Sequence, residues 1–389
     1  MMRWLGDRAE TWQAELDFPL LGTVLTLLSL GVVMVYSASI ALAQADRHIG
    51  FHAGYFFTRQ LLYVGMGVLV GWMCFHVPLD LWKKYALPLF GLGILGLVLV
   101  LIPGLGKEVN GSRRWLPLGI FNLQPSEFMK FLVLLYAADY TSRKSDVMHS
   151  LKSGFVPLFL VMLVVGMLLL KEPDFGAFAV MTTIAAAILF LGGMNWRLFL
   201  GLSVLLGIAF VLMVVLSPYR FNRLVWFWNP WADPFGKGYQ LTHALIAFGH
   251  GGLWGLGLGG SIEKQLYLPE AHTDFLMAVI AEELGFMGVL VTIGLFAFLV
   301  IRAFAIGRRV AAMECYFEAL VAQGVGVWMA VQSVVNIGVN MGLLPTKGLT
   351  LPLLSYGGSG IVANIMALAV LFRIDYESRQ RMRHRGKPR

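Results

Sequence analysis

Long runs of apolar residues, separated by shorter polar stretches, form the dominant pattern of this chain. A membrane-spanning α-helix needs about 20 mainly apolar residues to cross a hydrocarbon core about 30 Å thick. We interpret ten runs as such helices, of which the fourth is the shortest and carries Lys130. The predicted spans are residues 18–43, 60–76, 85–103, 126–138, 154–170, 177–196, 198–216, 273–301, 315–343 and 355–372. The pattern therefore predicts an all-α polytopic membrane protein with ten transmembrane helices.

The composition excludes a water-soluble protein. Of the 389 residues, 58% are hydrophobic and only 13% are charged, and 44 glycines come in addition. A soluble domain has about a quarter charged residues. The net charge of +8 does not indicate nucleic acid as a partner, because the basic residues lie between the apolar runs instead of clustering on one soluble module.

The distribution of Lys and Arg orients the predicted bundle. Short cytoplasmic loops are enriched in these residues, and the chain follows this rule when both termini are cytoplasmic. Residues 1–389 then form one integral membrane domain, with residues 1–17 as a cytoplasmic N-terminal segment. Residues 217–272 form a large extracytoplasmic loop between the seventh and eighth helices. Residues 373–389 form a basic cytoplasmic tail that faces lipid headgroups.

The 217–272 loop is far longer than most helix–helix connections, but its composition is not that of a disordered segment. Its aromatic residues suit the membrane–water interface, and its apolar middle, Tyr239–Phe248, predicts a re-entrant or interfacial helix. We expect this loop to fold back on the bundle and cover a cavity. The spacing Gly255-x-Gly257-x-x-Gly260 matches a dinucleotide-binding pattern, but such a site requires a preceding strand, which this sequence does not predict. We therefore interpret these glycines as positions where the backbone bends tightly.

Charged residues at membrane depth are costly and usually functional. Under this topology a group of them maps to the outer half of the membrane. The group consists of Arg113, Arg114, Glu127, Lys130, Lys171, Glu172, Asp174, Asp274 and Lys347. Clustered cations suit a phosphate or diphosphate, and a partly desolvated carboxylate has a raised pKa and can act as a general base. These residues predict an outward-opening cavity for an amphiphile with a phosphate-bearing head.

Three features leave alternatives open. Glu127 and Lys130 share a helix face and form either a structural ion pair or part of the site. Glu282 and Glu283 lie roughly 12–14 Å deeper than Asp274 along one helix and cannot both share its face, so one of them packs or pairs elsewhere. A polar stripe on the ninth helix must face protein or water rather than lipid, and hydrogen bonding between helices is the simpler interpretation. The stripe consists of Gln332, Asn336 and Asn340.

Five motifs connect the chain to a known family. They are Asn110–Trp115 with Gln124–Lys130, Pro173–Gly176, Tyr267–Phe275, Glu282–Gly285 and Leu344–Ser359. Together they resemble the SEDS family (shape, elongation, division and sporulation), whose members are polytopic peptidoglycan glycosyltransferases. The resemblance covers essentially all ten predicted helices. Phe227–Phe235 and the Thr346–Thr350 version of the last motif are similar to the division-specific branch rather than to the elongation branch.

The resemblance implies a reaction and a set of site residues. The substrate would be lipid II, a disaccharide-pentapeptide on undecaprenyl diphosphate. It would be polymerised into β-1,4 glycan at the outer face of the bacterial cytoplasmic membrane, with release of undecaprenyl diphosphate. Asp274 corresponds to the essential outer-loop carboxylate of the family and is the predicted catalytic residue. The predicted substrate-binding residues are Arg114, Glu127, Lys130, Asp174, His272, Lys347 and Ser355.

The resemblance also implies partners and a location. Members act with a class B penicillin-binding protein that cross-links the new strand. The division-specific branch implies further membrane proteins of the division machinery and a position at the septum. The sequence contains no dedicated metal-ligand set, so no cofactor is assigned, although a divalent cation, Mg²⁺ or Mn²⁺, could help to stabilise the diphosphate.

Two other functions compete with polymerisation. A lipid II flippase would need polar residues that reach both membrane faces and typically an internal repeat. In this chain the charges at membrane depth are concentrated on the outer side, and no clear repeat is visible. A purely structural scaffold of the division machinery would not need charges buried at one depth.

Overall fold

The computed structural model describes residues 16–385, apart from residues 46, 48–49, 110, 118, 120, 216–226 and 347. The described chain is mainly helical. Its helices are α1 (Phe18–Ala45), α2 (Tyr55–His76), α3 (Leu79–Leu101), α4 (Pro125–Arg143), α5 (Val156–Lys171), α6 (Phe175–Leu191), α7 (Trp196–Val215), α8 (Tyr239–Gly251), α9 (Leu276–Ala311), α10 (Tyr316–Asn340) and α11 (Gly358–Arg385).

The helices follow the apolar runs of the sequence. Each of the ten predicted runs overlaps one helix, and α8 lies where a helix was predicted within the long loop. By length and composition, six helices are suited to crossing a membrane: α1, α3, α5 with the π-helical turn before it, α9, α10 and α11. Helix α6 is apolar but shorter. The protein is therefore a mainly helical, multi-pass membrane protein.

Helix α11 extends well beyond its predicted end at residue 372. Its last turns are polar and are supported by ion pairs between residues four apart, which stabilise exposed helices. Arg373 Nε lies 2.7 Å from Glu377 Oε1, and Arg379 Nε lies 2.8 Å from Asp375 Oδ2. The apolar run ends where the helix leaves the hydrocarbon, and these charged pairs stabilise the helix beyond that point.

A small antiparallel sheet between α3 and α4 corrects the all-α prediction. It contains β1 (Lys107–Val109), β2 (Ser112–Pro117) and β3 (Asn122–Leu123) in the order β1-β2-β3. Glu108 pairs with Arg113 in the ladder, and Leu116 pairs with Leu123. The sheet gives a short connection a fixed shape, so that the side chain of Arg114 has a defined direction.

Long helix–helix contacts form the core. Helix α9 packs along α10, α2 along α11, and α3 along α4. The short helix α8 packs against α9, so the described part of the long loop folds back on the bundle as predicted. Trp328 on α10 is one of the largest fully buried side chains at the centre of this arrangement.

An ion cluster, named here the Asp17 cluster, lies at the end of the bundle where α1 begins. Asp17 pairs with Arg302 of α9 and lies 3.7 Å from the Arg379 guanidinium of α11. Arg379 and Arg309 both pair with Asp375. The cluster ties the first residue before α1 to the far ends of α9 and α11, and it marks one polar boundary of the bundle.

Candidate active site

The turn that carries Asp274 is held by the polar stripe of α10. The side-chain amides of Asn336 and Asn340 each donate a hydrogen bond of 2.9 Å to the backbone carbonyl of Asp274. Asn336 also donates to the carbonyl of Leu349 at 2.6 Å. The stripe therefore joins two segments distant in sequence, the turn before α9 and the loop before α11, rather than only linking helices.

The carboxylate of Asp274 faces the loop of residues 344–357. A Cβ atom placed on Gly348 would lie 3.3 Å from Asp274 Oδ2, which is tighter than ordinary van der Waals contact. A side chain at position 348 would thus crowd the carboxylate. Lys347, the predicted diphosphate ligand, lies outside the described residues, but its neighbour Gly348 places that loop directly beside Asp274.

Asp274 is only partly exposed, and its surroundings raise the pKa of its carboxyl group to about 7. Burial is the main cause, and the negative charges of Glu270 and Asp174 add to it, whereas the Arg114 guanidinium opposes it. Among the described residues, none donates a hydrogen bond to this carboxylate. A carboxyl group with these properties can exchange a proton near neutral pH, as a general base must.

Arg114 is the cation that the sheet brings to this carboxylate. Its Nε donates to the carbonyl of Glu172 at 3.1 Å, and its guanidinium also donates to the carbonyl of Pro173. Arg113, the preceding residue of β2, points to the other side of the strand and pairs with Glu108 at 2.9 Å. The alternation of a strand therefore separates the two arginines, and Arg114 is the one at the site.

Asp174 is near the site, but hydrogen bonds already occupy its carboxylate. It caps the N-terminus of α6 by accepting from the backbone N–H of Ala177 at 3.2 Å. Its other oxygen accepts from Ser126 at 2.8 Å and from Gln124 at 3.4 Å. The structure thus assigns Asp174 a role in joining α4 to α6 and in shaping the charge around Asp274, while its predicted contact with substrate stays a prediction.

Glu172 belongs to the predicted group of charged residues, but the sequence assigned it no role in catalysis or substrate binding. It is fully buried, and within the described chain neither of its carboxylate oxygens has a hydrogen-bond partner. Burial raises the pKa of this carboxyl group to about 8, and the charge of Asp174 adds to the rise. The Arg114 guanidinium opposes this rise in pKa. The protonated form of Glu172 is therefore favoured near neutral pH, and in that form it does not compete as an anion for Arg114.

Glu127 and Lys130 form the predicted ion pair, with 2.8 Å between Lys130 Nζ and Glu127 Oε2. Lys130 also donates to Gln332 at 2.9 Å, and Gln332 donates to the carbonyl of Thr350 at 2.9 Å. The side chain of Lys130 is 0% exposed, so it offers no surface to a substrate in this conformation. We assign the pair a positioning role, since it connects α4 through α10 to the loop beside Asp274.

His272 and Ser355 also contact the protein itself. The His272 ring is buried with its centroid 4.6 Å from that of Phe56 and 5.4 Å from that of Tyr356. Burial lowers the pKa of this imidazole, which favours the neutral ring. Ser355 Oγ accepts from the backbone N–H of Leu351 at 2.9 Å and is buried. Both residues fix the loop before α11, and their predicted contact with substrate stays a prediction.

Glu282 and Glu283 both pair away from Asp274. Glu282 accepts from Ser261, from His250 at 3.2 Å and from two backbone N–H groups of the outer loop. Glu283 pairs with Lys264 at 2.6 Å and accepts from Ser37 of α1 at 2.7 Å. The sequence excluded a common face for the two glutamates and Asp274, and the structure shows that neither glutamate belongs to the site.

Within the described part of the chain, no three His, Cys, Asp or Glu side chains lie together as metal ligands do. Whether a metal ion takes part in the reaction stays a prediction.

Comparisons with known proteins place this chain in a family. The family model FTSW_RODA_SPOVE, described as "Cell cycle protein", matches residues 19–380. A probable peptidoglycan glycosyltransferase FtsW from Aromatoleum aromaticum is 57% identical over 372 residues, which cover 96% of this chain and 91% of that protein. A protein of the same description from Nitrosomonas europaea is 54% identical over 371 residues, 95% of each chain.

Two solved structures are similar over nearly the whole chain. One is described as the structural coordination of polymerization and crosslinking by a peptidoglycan synthase complex. It has a TM-score of 0.76 at 29% identity and covers 93% of this chain and 98% of that chain. The other is the rod shape determining protein RodA of Thermus thermophilus, with a TM-score of 0.66 at 28% identity and coverage of 96% and 98%.

The fold and the site define a class of protein: a multi-pass membrane enzyme with a carboxyl group and an arginine at one end of the helical bundle. The comparisons then give the particular family. The chain belongs to the FtsW, RodA and SpoVE family of cell cycle proteins. This confirms the family and the peptidoglycan glycosyltransferase activity that the sequence motifs predicted.

Proposed function

We propose that this protein polymerises lipid II into β-1,4 glycan strands at the outer face of the bacterial cytoplasmic membrane during cell division. The observation that carries the proposal is the partly buried Asp274 carboxyl group, with its pKa near neutrality, close to Arg114 and to the Gly348 loop. The full-length similarity to relatives described as peptidoglycan glycosyltransferases supports the reaction.

In the proposed reaction, Asp274 accepts the proton of the acceptor's sugar hydroxyl as that oxygen attacks the anomeric carbon of the donor. The new C–O bond forms while the bond from the anomeric carbon to the diphosphate breaks, and undecaprenyl diphosphate leaves. Negative charge grows on the diphosphate as it departs, so cations fixed beside it lower the barrier more than they tighten ground-state binding. Arg114 and Lys347 are the residues we assign to this stabilisation.

The proposed topology has ten membrane spans with both termini in the cytoplasm. It places the Asp17 cluster at the inner boundary and Asp274, Arg114 and helix α8 at the outer end. The similarity to a chain of a peptidoglycan synthase complex that couples polymerization to crosslinking supports a crosslinking partner, which we propose is a class B penicillin-binding protein. We also propose that the protein interacts with other division proteins and with membrane lipids, and that it is located at the septum.

A divalent cation, Mg²⁺ or Mn²⁺, can accompany the diphosphate of the substrate. Because the described residues do not form a metal centre, we propose that such an ion would be held mainly by the diphosphate itself. No step of the proposed reaction depends on it.

Purified protein in liposomes that contain lipid II tests the proposed function. Glycan polymer, detected after electrophoresis, is the expected product. Lipid II that becomes accessible on the opposite leaflet without polymer would support a flippase instead. Neither product in the presence of the crosslinking partner would leave a scaffold as the better explanation.

Replacing Arg114 with Ala is expected to lower the initial polymerisation rate by about 10²–10³-fold, the range for loss of one group that stabilises developing negative charge. The matched control is Arg113→Ala, because Arg113 is adjacent in sequence but pairs with Glu108 on the surface. Initial rates against lipid II concentration in detergent measure both variants. Equal rates for the two variants would remove Arg114 from the reaction.

The polymerisation rate is expected to rise with pH by about tenfold per unit below pH 7 and to level off above it. The folded-state pKa of Asp274 is raised to about 7, so the carboxyl group holds its proton below that pH and cannot act as a base. Rates measured from pH 5.5 to 8 give the profile. Glu172→Gln is the control, because it removes the other nearby group with a raised pKa and should leave the inflection in place. A flat wild-type profile contradicts the assignment.

A further inference from the structure

Helix α9 is broken at Gly285, and a loop from the end of α8 fills the break. Gly285 has φ 69° and ψ −166°, which interrupts the helical hydrogen bonds. The glycine loop, defined here as residues 251–260, replaces them. The backbone carbonyls of Gly252 and Leu253 accept hydrogen bonds from the backbone N–H groups of Phe286 and Met287. The backbone N–H groups of Leu256 and Gly257 donate to the backbone carbonyls of Glu282 and Glu283. All four bonds are 2.9–3.2 Å long.

The two backbones approach each other at glycines. A Cβ atom on Gly255 would overlap the backbone of Glu283, and one on Gly285 would overlap the backbone of Gly255. Both glycines also have positive φ values, 79° and 69°, which other residues rarely adopt. The glycine spacing thus serves a backbone-to-backbone junction, in agreement with the tight bends predicted from the sequence.

Broken helices are tolerated at membrane depth only where other groups satisfy the freed backbone. The four hydrogen bonds between the loop and α9 meet this requirement at the break. Buried pairs hold the chain on either side, since Glu282 and Glu283 bind residues 261–264. The hydrogen bonding of this junction therefore meets the requirement for a position within the hydrocarbon core.

The outward side of the glycine loop is entirely apolar. Leu253 is 65% exposed, Trp254 75% and Leu258 63%, and residues 251–262 include no charged side chain. The same surface continues on α9 through exposed Phe286 and Leu290. By contrast, residues 276–283 of α9, before the break, are buried. In this part of the bundle the glycine loop, and not α9, therefore forms the outer surface.

The depth of the loop follows from the helix rise. Met287, which bonds to Leu253, lies fifteen residues before Arg302 of the Asp17 cluster, or about 22 Å along the helix at ~1.5 Å per residue. If the hydrocarbon core begins at Arg302 and is about 30 Å thick, its outer boundary lies about 8 Å further out than Leu253. Leu253 is then inside the hydrocarbon core. Any tilt of α9 would move the loop deeper.

We infer that the glycine loop is inserted into the outer leaflet, where Leu253, Trp254 and Leu258 contact lipid acyl chains. The long outer loop is thereby anchored in the membrane beside α9, the helix that follows the Asp274 turn. Lipid is the partner that the observations favour over a protein, because the depth, the absence of charge and the continuity with the outward face of α9 all match hydrocarbon. The inference rests on the topology proposed above.

Spin labels in the full-length protein test this inference. Trp254→Cys and, separately, Leu258→Cys are made in a Cys74→Ala, Cys315→Ser background, labelled and reconstituted in phosphatidylcholine–phosphatidylglycerol bilayers. Collisions with oxygen, which concentrates in lipid, are compared with collisions with a water-soluble nickel complex. Leu290→Cys on α9 serves as the lipid control, and Glu108→Cys in β1 as the water control.

We expect both loop positions to resemble position 290, with an oxygen-to-nickel ratio severalfold above that of position 108. Resemblance to position 108 would overturn the inference and would fit a water-exposed docking surface for another protein. Low collision rates with both reagents would also overturn it, since they would show that protein covers the loop. If position 290 itself is exposed to nickel, the proposed topology fails, and polymerisation measured separately on the same samples shows whether the proposed function survives.

Discussion

Asp274→Asn is expected to leave a folded, membrane-inserted protein whose polymerisation rate is at least 10²–10⁴-fold below wild type, the contribution typical of a general base. The amide is nearly isosteric with the carboxylate but cannot accept the proton. The hydrogen bonds from Asn336 and Asn340 reach the backbone carbonyl of residue 274, so they survive the change. The loss should therefore fall on turnover and not on folding.

Two measurements separate these effects. Initial rates of glycan formation report turnover, and the midpoint of thermal unfolding in detergent reports stability. The carboxyl group has a raised pKa, so its ionisation at neutral pH disfavours the folded state, and the Asn variant should be at least as stable as wild type at pH 8. Substantial polymer from a well-folded Asn variant would contradict the role of Asp274 as the base.

Neutralising either member of the Glu127–Lys130 pair is expected to destabilise the protein by about 3–5 kcal/mol, as for other buried pairs that lose one partner. Lys130→Met would strand the Glu127 carboxylate and remove the hydrogen bond to Gln332. The exchange Glu127→Lys with Lys130→Glu should recover part of this loss, because the pair is restored while the contact with Gln332 is not. Thermal unfolding midpoints of Lys130→Met, of Glu127→Gln and of the exchange variant measure the effect.

The control is an ion pair whose two members are both exposed. Arg113 lies 2.9 Å from Glu108, and their side chains are 40% and 53% exposed; such pairs contribute about 0–1 kcal/mol. Arg113→Ala should therefore change the midpoint little. An exchange variant as unstable as the single variants would show that Glu127 and Lys130 depend on other partners.

The helices could be predicted because a hydrocarbon core imposes a length and an apolar composition on each span. The end of α11 could not, because charged pairs such as Arg373–Glu377 extend this helix after the apolar run has stopped. The β1–β3 sheet was missed for a related reason. Its strands have two to six residues, too few to show a period of two clearly.

The candidate site could be predicted in part because charges at membrane depth are rare and therefore conspicuous. Asp274 and Arg114 are close in the structure, and Glu127 and Lys130 form their pair. The sequence could not separate residues that border the site from residues that position it. Burial makes that distinction for Lys130, and the missing hydrogen-bond partners of Glu172 appear only once the chain is folded.

The most direct test of the central claim is an experimental structure of the Asp274→Asn variant with lipid II bound. We predict that the diphosphate lies within about 4 Å of the Arg114 guanidinium and also contacts Lys347. We predict an acceptor hydroxyl within hydrogen-bond reach, about 2.6–3.2 Å, of the side chain at position 274. A lipid II headgroup bound at the Asp17 cluster, or on the outer surface away from both Arg114 and position 274, would contradict these predictions.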